Sequence, residues 1–439
     1  MVVTDSHVIF LIIVMTISST KYKLKNRKNM ILKNSFFKNI LLLSSGSIIA
    51  QIINFVTVPF MTRFFSTEDI GMFTYITTIS YLFTPIICLR YETAIILEQN
   101  NTNVCSLVKL CMIISTVLSI VICGGYYTYF ILSEKTELLE YMLLLVFLLL
   151  VSGIINILTS YNTRNQEYKL LSKVSIVRSV TNMFLLLYLG YMGTAVHGLL
   201  TSHVVSQLMG LKEQSSSLIR DKKKIIYSSW HNVFSMVTKY RGLPIYSVPA
   251  IFFNNISYLA INFFIAELYG MEQLGYYALS NRVLGVPLTM IGYNVGNVFF
   301  EKASKQFEKT GSFSSTYIET FRLLVVLSIP IIGGIYFLAP WFCEFYLGSE
   351  WYVAGMYIRI MCIMFALRFI FSPLTAGIMV LKKNKIEMLC QLCFFIVSII
   401  VYLVSMYVYV LSIEEFLFVI SIGFAFVYLV FGVIIFKLS

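Results

Sequence analysis

Charge is what this 439-residue chain has least of. Only 12% of its residues are Asp, Glu, Lys or Arg, about half the share found in soluble domains. Acids are scarcer than bases, 21 against 33. With 58% hydrophobic residues and a mean hydropathy of +0.82, the chain cannot clothe a soluble globule. Histidine is nearly absent, and His7, His197, His203 and His231 have no metal-ligand spacing, so no metal centre or other cofactor site is expected. The eight cysteines are scattered. Cys390 and Cys393 alone have C-x-x-C spacing, on an apolar stretch without redox context, so the thiols read as small packing residues. No sequence motif supplies a catalytic nucleophile.

What the chain has instead is apolar runs. A bilayer span needs roughly 20 mostly apolar residues. Twelve such segments are expected, at 38–62, 70–96, 106–132, 138–160, 172–190, 192–211, 243–266, 273–299, 318–340, 352–380, 386–410 and 414–436. They are too long for strands and lack strict alternation, so the fold class is an all-α polytopic membrane protein rather than a barrel.

Basic residues set the orientation. Seven precede or open the first span, from Lys21 to Lys38. Every second loop after it is basic too: Arg164 to Arg178, Lys212 to Arg241, Lys302 to Arg322, and Lys382 to Lys385. The alternate loops hold Arg63 and Lys135 against eleven acids, among them Glu68, Asp69, Glu267, Glu272, Glu414 and Glu415. Both termini are therefore expected on the cytoplasmic side of a plasma membrane. The net charge of +12 serves topology and anionic headgroups, not nucleic acid. Residues 1–29 read as a mis-assigned start or dispensable tail, since Met30 resembles a natural start. The alternative is an interfacial anchor built on Val8–Ile17.

The longest basic loop, 212–242, divides the spans six and six. The expected organisation is a basic N-terminal segment (1–33), a first lobe (34–211), a cytoplasmic linker (212–242) and a second lobe (243–439). A faint echo supports it: Glu68-Asp69-Ile70-Gly71 opens the second span and Glu272-Gln273-Leu274-Gly275 the eighth. Two halves with even span numbers enter the membrane the same way up, which implies a pseudo-twofold axis along the membrane normal and suits a rocking transporter.

Few ionisable groups lie inside the spans: Arg90 and Glu92 in the second, Arg282 in the eighth, Arg359 and Arg368 in the tenth. A charge at the centre of a span costs about 2.5–3.5 kcal/mol even on lenient scales, so such groups face a cavity or a partner. Arg90 and Glu92 are two positions apart, and on a regular helix they would not pair. Four guanidinium groups against one carboxylate suit an anionic cargo, and arginine suits phosphate because its fork binds two oxygens and keeps its charge when desolvated. Glu92 alone is left to carry a coupling ion, with a salt-bridge role as the alternative. Asn254, Asn255, Tyr258, Asn281 and Tyr293 give spans seven and eight a polar character that would suit a glycan, or simply hydrogen bonds between helices.

At this point a resemblance emerges. Ser45-Gly46-Ser47, Ala50-Gln51, Pro59, Arg63 and Glu68-Asp69-Ile70-Gly71 resemble the start of Wzx-type polysaccharide flippases. Arg90-Tyr91-Glu92 looks like the signature closing their second helix. Tyr240-Arg241-Gly242-Leu243-Pro244 and Leu274-Gly275-Tyr276-Tyr277 through Asn281-Arg282 to Pro287 resemble their seventh and eighth helices. The resemblance implies a fold like that of the multidrug and toxin exporters, and a cargo of undecaprenyl-pyrophosphate-linked oligosaccharide for O-antigen, capsule or exopolysaccharide. It implies a cationic cavity, for which Arg90, Arg282, Arg368 and Arg359 are the candidates. A polysaccharide polymerase and a chain-length regulator would be working partners.

The rivals are a drug or cation antiporter of the same superfamily, a membrane polymerase or glycosyltransferase, and a lipid II flippase. The first would carry more buried carboxylates. The second needs an external domain, and the expected external loops are short. The third usually has two further helices.

Overall fold

The structure is a computed structural model that describes residues 35–439 except Lys382. The side chains of 35–45, Val286, Pro287, Thr289, Met290, Tyr293, Asn384 and Lys385 fall outside that description. The expectations for residues 1–33, and for the Tyr293 side chain, therefore lie outside the described residues.

Lipid offers the backbone no hydrogen-bond partners, so these apolar runs satisfy themselves as helices. The first half comprises α1 (Ser35–Phe64), α2 (Thr67–Phe83), α3 (Tyr91–Leu97), α4 (Asn101–Leu132), α5 (Met142–Arg164), α6 (Tyr168–Tyr191) and α7 (Ala195–Leu208). Three short helices follow: α8 (Leu211–Arg220), α9 (Lys222–Ile226) and α10 (Trp230–Lys239). The second half holds α11 (Val248–Thr310), α12 (Ser314–Leu347), α13 (Tyr352–Phe371), α14 (Ala376–Val380), α15 (Asn384–Tyr407) and α16 (Ile413–Leu438). Ser66 with Asp69, and Ser412 with Glu415, form reciprocal capping boxes at the starts of α2 and α16.

Among the described residues nine helical stretches are long and apolar enough to cross a membrane, or ten if the bent pair α2/α3 counts as one. Twelve were expected. One difference is α7, whose 14 residues are short for a span. The other is at α11, where the seventh and eighth expected spans are two helices that meet directly at Gly270, at φ 87° and ψ 176°, and so count as one continuous stretch. That backbone region is essentially open to glycine alone.

Each half packs mainly within itself: α1 on α6, α4 on α5, α12 on α13, α13 on α16. The principal seam between halves is α2 along α11. There the two echo motifs meet. A Cβ on Gly71 would lie 1.8 Å from the Met271 carbonyl oxygen, and one on Gly275 would lie 2.0 Å from that of Thr67. Only glycine permits so close a crossing.

More contacts join the halves at this acid-rich end. Lys135 pairs with Glu267. Thr62 donates to the Leu347 carbonyl at 2.7 Å, and Tyr346 to the Phe55 carbonyl at 2.7 Å. Phe55 precedes Pro59 by one helical turn, and Pro59 has no N–H to offer it. Tyr346 thus caps an acceptor that proline has freed.

The segment expected as a linker between the halves is hydrogen-bonded to the first half. Asn162 donates to the Gln214 carbonyl at 2.9 Å and Tyr161 to Asp221 at 2.8 Å. Lys239 and Tyr240 both meet the buried Glu98. Burial would raise the Glu98 pKa, but Lys239, the Asn100 backbone and Tyr240 together hold it down at about 2.

Candidate functional site

A cavity of about 500 Å³ lies between the halves. α1, α2, α6 and α7 wall it on one side, and α11, α13 and α16 on the other. Among its described lining residues four are basic or potentially so, namely Arg178, His203, Arg282 and Arg368, and none is Asp or Glu.

The two arginines contributed by the second half have little to hold. Among the described residues, Arg282 finds as acceptor only the weak sulfur of Met61, 3.6 Å from Nη1. Arg368 lies over the rings of Tyr258 and Phe365, 5.0 and 5.7 Å from their centroids, with no carboxylate partner among the described residues. A guanidinium has five N–H donors, so both retain most of their capacity for a ligand. Arg178 is more committed: it donates to the Met209 carbonyl at 3.1 Å and to Gln214 at 3.3 Å.

Polar groups complete the wall. Tyr258 shares a hydrogen bond of 2.9 Å with Tyr428, and Asn262 donates to Thr78 at 2.8 Å. Asn281 lines the cavity, and so does Asn182, whose buried Oδ1 has no partner. His203 packs edge-on against Phe73 and Tyr81.

Of the residues singled out from sequence, Arg282, Arg368, Tyr258 and Asn281 come together here. Asn254 and Asn255 do not line the cavity, although the Asn255 side-chain nitrogen is buried without a partner. Arg359 lies elsewhere, donating to the carbonyls of Tyr336 at 2.8 Å and Phe337 at 3.2 Å. Tyr336 stands one turn before Pro340, so Arg359 serves a carbonyl that proline has left without its helical partner.

Arg90 and Glu92 are also off the cavity, and the expectation that they would not pair is corrected: Arg90 Nη1 lies 3.2 Å from Glu92 Oε1. The spacing argument assumed a regular helix. The chain instead breaks there, with Leu89 and Arg90 at φ 49° and 65°, bending α3 by 43° from α2. Arg90 therefore precedes the helix that carries Glu92 and turns back onto it.

Sequence reasoning passed over three residues. Arg178 was assigned to a loop flank although it falls inside its span, and His203 was weighed only as a metal ligand. Glu387 opens the eleventh span. It is half-buried on a second cavity of about 480 Å³, whose wall it shares with Arg368. Counting every ionisable group inside a span's own bounds would have found all three.

Solved structures bear the same fold. A multidrug resistance MATE family transporter of the MOP superfamily, in an inward-facing conformation, matches with a TM-score of 0.66 at 10% identity, covering 90% of this chain and 97% of that one. The lipid II flippase MurJ, in an inward closed conformation, matches with a TM-score of 0.67 at 14% identity, covering 90% and 87%. A MOP superfamily transporter from Pyrococcus furiosus, described as having a binding pocket of reversed polarity, matches with a TM-score of 0.58 at 12% identity, covering 91% and 94%. No curated protein matches the sequence. Residues 60–356 match the family described as polysaccharide biosynthesis protein, and the chain is a multi-pass membrane protein that belongs to that family.

Proposed function

We propose that this protein is a flippase that carries undecaprenyl-pyrophosphate-linked oligosaccharide repeat units from the cytoplasmic to the outer leaflet of a bacterial plasma membrane. The observation that carries this reading is the pair Arg282 and Arg368, cations on one cavity wall without a carboxylate partner among the described residues. Holding such charges in a membrane protein is costly unless a ligand completes them. A pyrophosphate diester supplies the anionic oxygens that two guanidinium forks fit.

In this mechanism the headgroup enters from the basic, cytoplasmic end, while the acid-rich end is shut by the Gly71–Gly275 crossing and the bonds around it. Arg282 and Arg368 replace water around the phosphates. Asn281, Asn182 and Tyr258 offer hydrogen bonds and a ring face to the sugars. The polyprenyl tail stays in lipid. Rocking of the halves breaks the outer contacts and exposes the headgroup to the other side. No bond of the cargo breaks, so the activity is transport, not catalysis. A polysaccharide polymerase and a chain-length regulator would use the product. Glu92 and Glu387 are the acids left for ion coupling, Glu92 through the one oxygen that lacks a partner.

The test is a deletion strain complemented with wild type, Arg282→Ala, Arg368→Ala or both. Lipid-linked oligosaccharide is identified by mass, and its sidedness is read with a membrane-impermeant glycan probe. Full-length repeats should accumulate on the cytoplasmic face in the deletion and in the double variant, with surface polymer lost and protein level unchanged. Repeats reaching the outer face in the deletion strain would end this reading.

A further inference from the structure

The short helices between the halves carry an apolar face that the described residues leave largely exposed. α10 turns Val233 and Met236 inward, 3% and 4% exposed, which accounts for its packing on the first half. Its other face presents Trp230 and Phe234, one turn apart and 57% and 67% exposed. Just before it, Ile226 and Tyr227 are 55% and 84% exposed. In water, four such neighbours would form an uncovered patch of a kind that monomeric surfaces seldom show.

Two further observations say what covers it. The first is continuity. Lys109 of α4 lies over the Trp230 ring at 4.6 Å and donates to the carbonyls of Ile226 and Ser228 at 3.2 and 2.9 Å. From that level onward α4 exposes Met112, Ile113, Val117 and Ile120, the stripe that must face hydrocarbon. The aromatic face thus stands where the α4 lipid stripe begins. The second is charge. Lys222 and Lys223 precede the patch and Arg241 follows it, all exposed; Lys224 and Lys239 are exposed too but already pair with Asp221 and Glu98. A basic amphipathic helix with Trp and Phe on its apolar side is the composition that lies in the headgroup layer.

We infer that α9 and α10 form an interfacial anchor whose partner is the anionic lipid surface of the cytoplasmic leaflet. Trp230 and Phe234 enter the headgroup–acyl boundary, and Lys222, Lys223 and Arg241 pair with acidic headgroups. Because the same segment is fixed to the first half by Asp221 and Glu98, the anchor adds to that half's hold on the membrane plane. The inference rests on membrane residence and is independent of the cargo.

The test is lipid quenching of Trp230 in the full-length Trp341→Phe protein. Trp351 is 2% exposed, so Trp230 is the lipid-accessible indole left, and Trp230→Phe in the same background sets the baseline. The protein is reconstituted in phosphatidylcholine vesicles with and without phosphatidylglycerol, using acyl chains brominated near the headgroup or near the tip. Shallow bromines should quench Trp230 more than deep ones, and aqueous iodide little. Phosphatidylglycerol should increase the quenching, and replacing Lys222 and Lys223 with Gln should remove at least about half of that increase. Quenching by iodide and not by bromolipid would overturn the anchor and leave the face to water or to a protein. Equal quenching in both lipids, unmoved by the lysine variant, would overturn the anionic partner. Flipping assays on the same protein report separately on the proposed transport.

Discussion

The arginines inside the spans fall into two kinds. Arg90 and Arg359 are spoken for, one by the Glu92 carboxylate and the other by two carbonyls beside Pro340. Arg282 and Arg368 face a cavity with a thioether and aromatic rings for company. All four look alike in a sequence. The difference is whether the protein itself completes the cation, and it predicts opposite responses to mutation: loss of fold for the first pair, loss of transport for the second.

The largest effect should come from Arg282→Ala with Arg368→Ala. Hydrogen bonds to charged groups contribute about 1.5–3 kcal/mol each, so losing both guanidinium groups should lower cargo affinity on the order of a hundredfold or more. Thermal stability of the purified protein should hold or rise, since two uncompensated charges are gone. Single Arg→Lys variants should retain part of the activity, because charge remains while the two-pronged geometry is lost. Stability that falls along with transport would move these residues into the structural class.

Arg90→Ala should do the reverse. It leaves Glu92, whose side chain is 6% exposed, as an unpaired buried charge, and breaking such pairs costs about 3–5 kcal/mol. Less protein should reach the membrane, and its melting temperature should drop. Removing both charges, as Arg90→Met with Glu92→Leu, should recover most of the loss. If the double variant melts normally yet fails to transport, Glu92 has a role in coupling that the ion pair conceals.

These contrasts also mark how far the sequence could be read. Fold class and family were legible because apolar runs and alternating basic loops are properties of residue type, summed over many positions. The echo of Glu68–Gly71 in Glu272–Gly275 even named the two glycines that touch at the seam. Pairing was not legible. Whether Arg90 meets Glu92 depends on two residues at positive φ, and no pattern of side chains announced that break. His203 and Arg178 were legible as ionisable groups inside their spans; what the sequence did not show was their shared place on one cavity, which is set by how α6 and α7 pack. The turn between the seventh and eighth spans was not legible either: Gly270 alone joins two helices that composition would separate by several residues.

Arg359→Met tests the structural class at lower amplitude. It leaves the Tyr336 carbonyl without its donor, at a cost of about 1–3 kcal/mol. Melting should fall modestly, while affinity for a pyrophosphate-linked ligand stays put, because Arg359 is off the cavity. A selective loss of affinity would place it among the cargo ligands instead.

Tyr346→Phe should have the smallest effect and the most specific one. Tyr346 performs for Pro59 what Arg359 performs for Pro340, since each supplies a donor to the carbonyl one turn before a proline. Arg359, however, caps a carbonyl within its own half, whereas Tyr346 reaches from α12 to α1 across the seam. Losing a donor within one half weakens the fold in every conformation. Losing one across the seam weakens only the state in which the acid-rich ends are together. The Tyr346 hydroxyl contributes about 1 kcal/mol, which shifts a two-state balance about fivefold. Ring stacking of Tyr346 on Phe55 and Phe342 survives in phenylalanine, so packing is held constant. The expected outcome is an unchanged melting temperature with faster labelling of a cysteine placed at Ile70, on the cavity wall near the closed end, by a reagent added outside. Slower or equal labelling with a lower melting temperature would mean that this hydroxyl supports the fold, not the gate.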